Sequence, residues 1–255
     1  MVLAMFGGMA IASSSSTTES TKIEVTDKKD ADKDDSDGAS DETEAKELKY
    51  EITDQDFQYY TNSIGTVEYY GYVEIENTGS AYIYMKDCVF DLEDNDGHLL
   101  QSDDFISSCP DVIAPGEKGY FYNGVGSATI DDGVSFDNGV KLVPNLKLEE
   151  AKNGSESVVD YEVTDTDLRE GSLGEPKVTG RITNNTEVDD GYLYVNVVFY
   201  NSDGKVIAIT GTSVTDLTAG STVSFECSGM FMNETATMES IADYKVIARK
   251  MHMQF

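Results

Sequence analysis

The chain has 255 residues, 48 of them Asp or Glu and 18 Lys or Arg, for a formal net charge of −30 and a pI near 4.1. That balance leaves no clustered cations for phosphate contacts, which excludes nucleic acid as a partner, and no apolar run approaches the roughly 20 residues of a membrane-spanning helix, which excludes an integral membrane span. With 39% hydrophobic residues, 15 Tyr and no Trp, the core has to rest on Tyr, Phe, Val and Ile, residues that favour pleated sheets.

Residues 1–12, MVLAMFGGMAIA, are uncharged and end in Ala10-Ile11-Ala12, the small-x-small pattern that precedes a signal-peptidase cut. They read as the back half of a secretory signal whose charged n-region is missing, and Met9 stands where a lipoprotein signal would carry its Cys. Residues 13–47 hold twelve acidic residues and five lysines without one aromatic. Such a segment cannot bury enough apolar surface to offset chain entropy, so a disordered acidic Ser/Thr-rich spacer is expected. Leader and spacer together predict an extracytoplasmic bacterial protein, secreted or associated with the cell envelope.

From residue 48 the periodicity is two. Along 67–76, Val67, Tyr69, Val73 and Ile75 fall on one face, and Glu68, Tyr70, Tyr72, Glu74 and Glu76 on the other, the pattern of a strand with one wet side. Tyr70 and Tyr72 among Glu68 and Glu74 are the candidate binding surface. Rings flanked by carboxylates suit stacking on sugars, or a basic protein drawn by the net charge, with ordinary cross-strand pairing as the plainer alternative.

Asp94-Asn95-Asp96-Gly97 is a hairpin-turn signal. It also offers acids at the third and fifth positions of a calcium loop, but Leu92 occupies the first ligand position. Cys88 and Cys109 can bridge in an oxidising compartment, free buried thiols being the other reading, and no CxxC motif suggests a metal.

The second half repeats the first. Tyr50-Glu51-Ile52-Thr53-Asp54 returns as Tyr161-Glu162-Val163-Thr164-Asp165. Asn77 corresponds to Asn184 and Asp96-Gly97 to Asp203-Gly204 at an offset of 107, while Ile113-Ala114-Pro115-Gly116 corresponds to Leu217-Thr218-Ala219-Gly220 at 104. Tyr82-Ile83-Tyr84-Met85 fits Tyr192-Leu193-Tyr194-Val195 better at 110. Two copies of about 100 residues read as tandem domains and not as a solenoid. The predicted fold is all-β: two immunoglobulin-like antiparallel β-sandwiches, 48–150 and 161–255, joined by a linker at 151–160.

Phe90-Asp91-Leu92-Glu93-Asp94, following Val73-Glu74-Ile75-Glu76-Asn77 and preceding Ala114-Pro115-Gly116, resembles the FxLyD-type domain of bacterial and archaeal extracytoplasmic proteins over about residues 66–122. In the second copy Val197-Val198-Phe199-Tyr200-Asn201 keeps only the hydrophobic pattern. The resemblance implies a non-catalytic sandwich and supplies neither a catalytic residue nor a cofactor. Only His98 and His252 offer imidazole, and the sequence assembles no HExxH pair and no serine triad from them. The expected role is a non-catalytic binding or spacing module with a cell-wall glycan or a protein as partner. A carbohydrate-active hydrolase with convergent carboxylates and a calcium-dependent adhesin are the alternatives.

Overall fold

Alternating apolar and polar residues, broken at turns that glycine can take, convert most of the described chain into strands. The computed structural model describes residues 22–24, 46–61, 65–123, 128–131, 133–172, 174–228 and 236–252. The first half contributes β1 (Lys22–Glu24), β2 (Lys49–Thr61), β3 (Val67–Asn77), β4 (Ile83–Glu93), β5 (Leu99–Asp103), β6 (Ile106–Cys109), β7 (Val112–Ile113), β8 (Lys118–Asn123), β9 (Ala128–Thr129) and β10 (Lys141–Glu150). After α1 (Gly154–Ser157) the second half adds β11 (Glu162–Glu170), β12 (Pro176–Thr183), β13 (Asp190–Tyr200), β14 (Val206–Leu217), β15 (Thr222–Ser228) and β16 (Asp243–Lys250). The fold is all-β, as the periodicity predicts.

In the first half one sheet runs β1-β2-β3-β8-β6 with β9 on β3, and the other runs β10-β4-β5 with β7 on β4. In the second half the sheets are β11-β12-β15 and β14-β13-β16. The central triplet β2-β3-β8 has its counterpart in β11-β12-β15, and β10-β4-β5 in β16-β13-β14. Each half closes on its own core. Tyr69, Val73, Ile75, Phe90, Leu92 and Phe121 meet in the first, and Val178, Ile182, Leu193, Val195, Val197 and Phe199 in the second.

The repeated sequence landmarks are parts of two hydrogen-bonded devices that recur in both halves. Asn77 closes β3 with its side chain buried, donating to the carbonyls of Ala81 and Ile113 and accepting from the Gly79 amide, while its own carbonyl accepts from Gly116. Asn184 repeats this with Val188, Leu217, Thr186 and Gly220. The second device is the hairpin tip. One carboxylate oxygen of Asp94 accepts from the amides of Asp96 and His98, and the Asn201 side chain does the same for Asp203 and Lys205. Gly97 and Gly204 complete these turns at φ 81 and 75, a conformation that L side chains rarely adopt.

The leader at 1–12 lies outside the described residues, as does the spacer at 13–47 except for 22–24 and 46–47. Against the expectation of disorder, Lys22–Glu24 forms β1, paired antiparallel with Lys49–Glu51 of β2. The connection at 151–160 is also tied down, with Ala151 bonded to Tyr82 and Tyr161 to Ala248 through the backbone.

A larger correction concerns the wet face of β3. Tyr70 and Tyr72 are 2% and 1% exposed. With Cys109, Tyr120 and Tyr122 they pack on Val198, Val206, Ile209 and Ile247 of the second half. The reason is burial energy. Aromatic rings bury on the order of 150–250 Å² each, and at roughly 25 cal/mol per Å² the four tyrosines outweigh any surface ion pair, which contributes about 0–1 kcal/mol. Glu74 tolerates its position at the edge of this face because it accepts from Lys118 Nζ at 2.6 Å and Thr53 Oγ1 at 2.7 Å, and Glu68 accepts from the Tyr60 hydroxyl at 2.7 Å. The cysteine pairing is corrected too. Cys88 and Cys109 are free thiols in different apolar clusters, Cys88 in the first core and Cys109 between the halves.

Candidate functional site

The sheets β1-β2-β3-β8-β6 and β14-β13-β16 thus face each other across a joint with several polar fastenings. Arg249 of β16, itself buried, uses all five guanidinium N–H groups: two each to Glu117 and Asp160 at 2.6–2.8 Å and one to the Val112 carbonyl at 3.0 Å. The Tyr120 and Tyr200 hydroxyls lie 3.1 Å apart, and Asn196 Nδ2 donates to the Tyr122 hydroxyl at 3.2 Å. The Tyr70 hydroxyl is buried without a well-formed hydrogen bond, although the Ile209 backbone approaches it.

Where the joint opens toward solvent it leaves a groove of two connected hollows, of about 300 and 290 Å³, which share Ser107, Tyr122, Tyr194 and Asn196. The first hollow adds Tyr84, Asp111 and His252, and the second adds Tyr192 with the Thr210–Ser213 stretch of β14. Strand alternation explains the lining. On β13 the odd positions Leu193, Val195 and Val197 enter the core, so Tyr192, Tyr194 and Asn196 emerge on the opposite side, Tyr192 and Tyr194 still 38% and 37% exposed. Their rings meet edge to face at 5.3 Å. Tyr84 and Tyr194, equivalent at the 110-residue offset, come from different halves and line the same hollow.

The electrostatics of the first hollow are lopsided. The Asp111 carboxyl is pushed up to about 6 by burial, a rise only partly countered by the His252 backbone N–H, which donates to it at 3.4 Å. Among the described residues no Lys or Arg forms an ion pair with it, and Arg249 nearby is fully engaged with Glu117 and Asp160. Burial raises the Tyr84 and Tyr194 hydroxyls above their ordinary value, and the charge of Asp111 adds to the rise in both. His252 is 5% exposed, and burial lowers its pKa, favouring the neutral ring. Its Nδ1 pairs with Ser157 Oγ at 2.7 Å, its ring lies 5.0 Å from that of Tyr84, and its Nε2 is buried without a partner.

None of the sequence-selected surface residues Glu68, Tyr70, Tyr72 and Glu74 lines this groove. Sequence reasoning missed Tyr84, Asp111, Tyr122, Tyr194, Asn196 and His252. The usable signal was the tyrosine pair Tyr82/Tyr84 against Tyr192/Tyr194, two residues apart at the start of β4 and within β13. The Asp94 loop is a turn staple. Beyond the two amides, its carboxylate pairs with His98 Nδ1 at 3.0 Å and accepts from Asn138 Nδ2 at 3.1 Å, so although Asp94, Asp96 and His98 cluster closely enough to hold an ion, the Asp94 oxygens are already engaged by the loop and by Asn138. The Ser157–His252 contact lacks a carboxylate on the ring, and Ser157 does not line the groove, so the pair does not form the nucleophile–base–orienter geometry of a hydrolase. Compared with known proteins, the chain matches no family model and no curated sequence.

Proposed function

We propose that this chain is a non-catalytic binding protein acting outside the cytoplasm, and that its ligand site is the groove between the two sandwiches. The groove's composition carries this reading. Exposed Tyr192 and Tyr194, together with Asn196, Ser107 and Thr212, combine ring surface with hydrogen-bonding groups on rigid strands, which is how small-molecule sites are built. The joint fixed by Arg249 and the tyrosine cluster supports it, because domains already held in position spare a ligand the cost of ordering them. The extracytoplasmic setting rests on the apolar leader, the acidic spacer and the FxLyD resemblance. A cell-wall glycan or an extended peptide from a wall protein is the partner class that suits an elongated, tyrosine-lined groove.

Titration of the isotopically labelled chain with soluble wall-glycan fragments and short peptides checks the site by NMR. A ligand is expected to shift Tyr192, Tyr194 and Asn196 saturably, and Tyr192→Ser combined with Tyr194→Ser to weaken it at least tenfold. Equal binding by that double variant would overturn the groove reading. Recovery of the native protein in the cytosolic fraction of its own cells would overturn the location.

A further inference from the structure

We propose that the inner hollow of this groove is a site for a small organic cation, an ammonium group held by the Asp111 carboxylate among the rings of Tyr84, Tyr122 and Tyr194. This deepens the groove reading and rests on it.

Three observations converge. First, Asp111 lines a half-open hollow with no cationic partner among the described residues, whereas Glu117 and Asp160, the neighbouring carboxylates of the joint, share the Arg249 guanidinium. A half-buried carboxyl without a counter-ion is a cost that a cationic ligand removes. Second, three tyrosines converge on the same hollow from β4, β8 and β13, and aromatic rings attract a desolvated ammonium through their quadrupole, most strongly where water is excluded. Burial together with the Asp111 charge raises all three hydroxyls, so the rings stay neutral and the carboxylate lies within electrostatic reach of each. Third, His252 lines the same hollow with its Nε2 buried and unpartnered, a polar atom that a ligand hydroxyl can satisfy once the ring turns it toward the hollow. The charge of −30 raises the local concentration of cations but does not choose between them. At about 300 Å³ the hollow is at the small end of ligand pockets, sized for a head group and not for a whole polymer.

The test uses choline and its neutral carbon isostere 3,3-dimethyl-1-butanol, titrated into the full chain at 150 mM NaCl and followed by NMR and calorimetry. Choline is expected to shift Tyr84, Tyr122, Tyr194 and His252 saturably and to bind at least tenfold tighter than the isostere. Asp111→Asn is expected to abolish that discrimination. Tyr194→Leu, at an exposed side chain, should weaken choline about fivefold and leave the fold intact. Equal binding of the two isosteres, unchanged choline binding by Asp111→Asn, or non-saturating shifts spread over the acidic surface would each overturn the proposal. If a glycan fragment saturates Tyr192 and Tyr194 while choline binds nowhere, the cation site falls and the groove reading stands. If neither binds, both fall.

Discussion

The strands β3 and β12 are counterparts in the two halves, yet β3 is buried on both faces from Tyr69 to Ile75, whereas β12 alternates. In β12 the side opposite the core carries Lys177, Thr179, Arg181 and Thr183, none of them buried. In β3 the same side carries Tyr70 and Tyr72 and is covered by β13, β14 and β16. The asymmetry between the copies is therefore the record of a joint. The second half docks its β13 sheet, and not its β12 sheet, onto the first, which leaves a polar sheet at each end of the stack. Rings flanked by carboxylates look alike on a strand whether they meet a sugar or another domain, and only the partner sheet, more than a hundred residues away, tells the two apart.

Exchanging matched residues between β4 and β13 should separate the two halves most clearly. Val198 is fully buried in the joint, and the residue 107 positions earlier is Asp91, partly exposed and bonded by Ser102 and Asn145. Val198→Asp should cost more than about 4 kcal/mol, because it buries an unpaired charge, while Asp91→Val should stay within about 1 kcal/mol. Urea unfolding followed by circular dichroism measures both, and a small loss for Val198→Asp would remove the joint from the account. Next in size is Arg249→Met. It strands the Glu117 carboxylate and the Val112 carbonyl and should cost about 2–3 kcal/mol, discounted from the fully buried case because Asp160 is largely exposed. Its more telling result would be two unfolding transitions in place of one. A single sharp transition with unchanged midpoint would show that the tyrosine cluster alone couples the halves.

Features written in local sequence were legible. Period-two alternation, the Asp-Gly tips and the paired Asn and Gly landmarks each depend on residues a few positions apart, and they gave the all-β class and the internal repeat. The groove was not legible, because Tyr84, Asp111, Tyr122, Tyr194 and His252 come from both halves and share no spacing. Even the offsets that failed to agree have a structural correlate. The ladder between β4 and β10 slips at Lys147 and Leu148, opposite Asp87 and Met85, whereas β13 pairs with β16 without a break. The one extra residue bulged in β4 and absent from β13 accounts for one of the three positions that separate the offsets of 110 and 107.

Asn77 and Asn184 test whether the halves are equivalent where their sequences agree. Each buried side chain satisfies two carbonyls and one amide, Asn184 accepting from the Thr186 hydroxyl as well, so Asn77→Ala and Asn184→Ala should each cost about 2 kcal/mol and agree within about 1 kcal/mol. Thermal unfolding of the two variants side by side measures this. A several-fold difference would mean that the repeated hydrogen bonds conceal unequal supports.

At Asp111 a modest change in stability separates a binding residue from a structural one. The Asp111 carboxyl is raised from the ordinary 3.8 to about 6, chiefly by burial. Between those values the folded chain keeps a proton that the unfolded chain has released, so the native state binds more protons and stability falls as pH rises through the window. The contribution is fully present below about 3.8 and lost above about 6. Asn carries no charge at any pH, so Asp111→Asn should be more stable than the parent at pH 7.5, by about 1–2 kcal/mol once the carboxyl's remaining solvent access is discounted. The gain should vanish near pH 3.5. A residue kept for packing or pairing would show the opposite sign, with the substitution costing stability at neutral pH. A group that destabilises the empty fold at the pH where it is ionised is what a site reserved for a cation requires. Saturating choline should then restore to the parent, and not to the variant, the stability that Asp111 withholds.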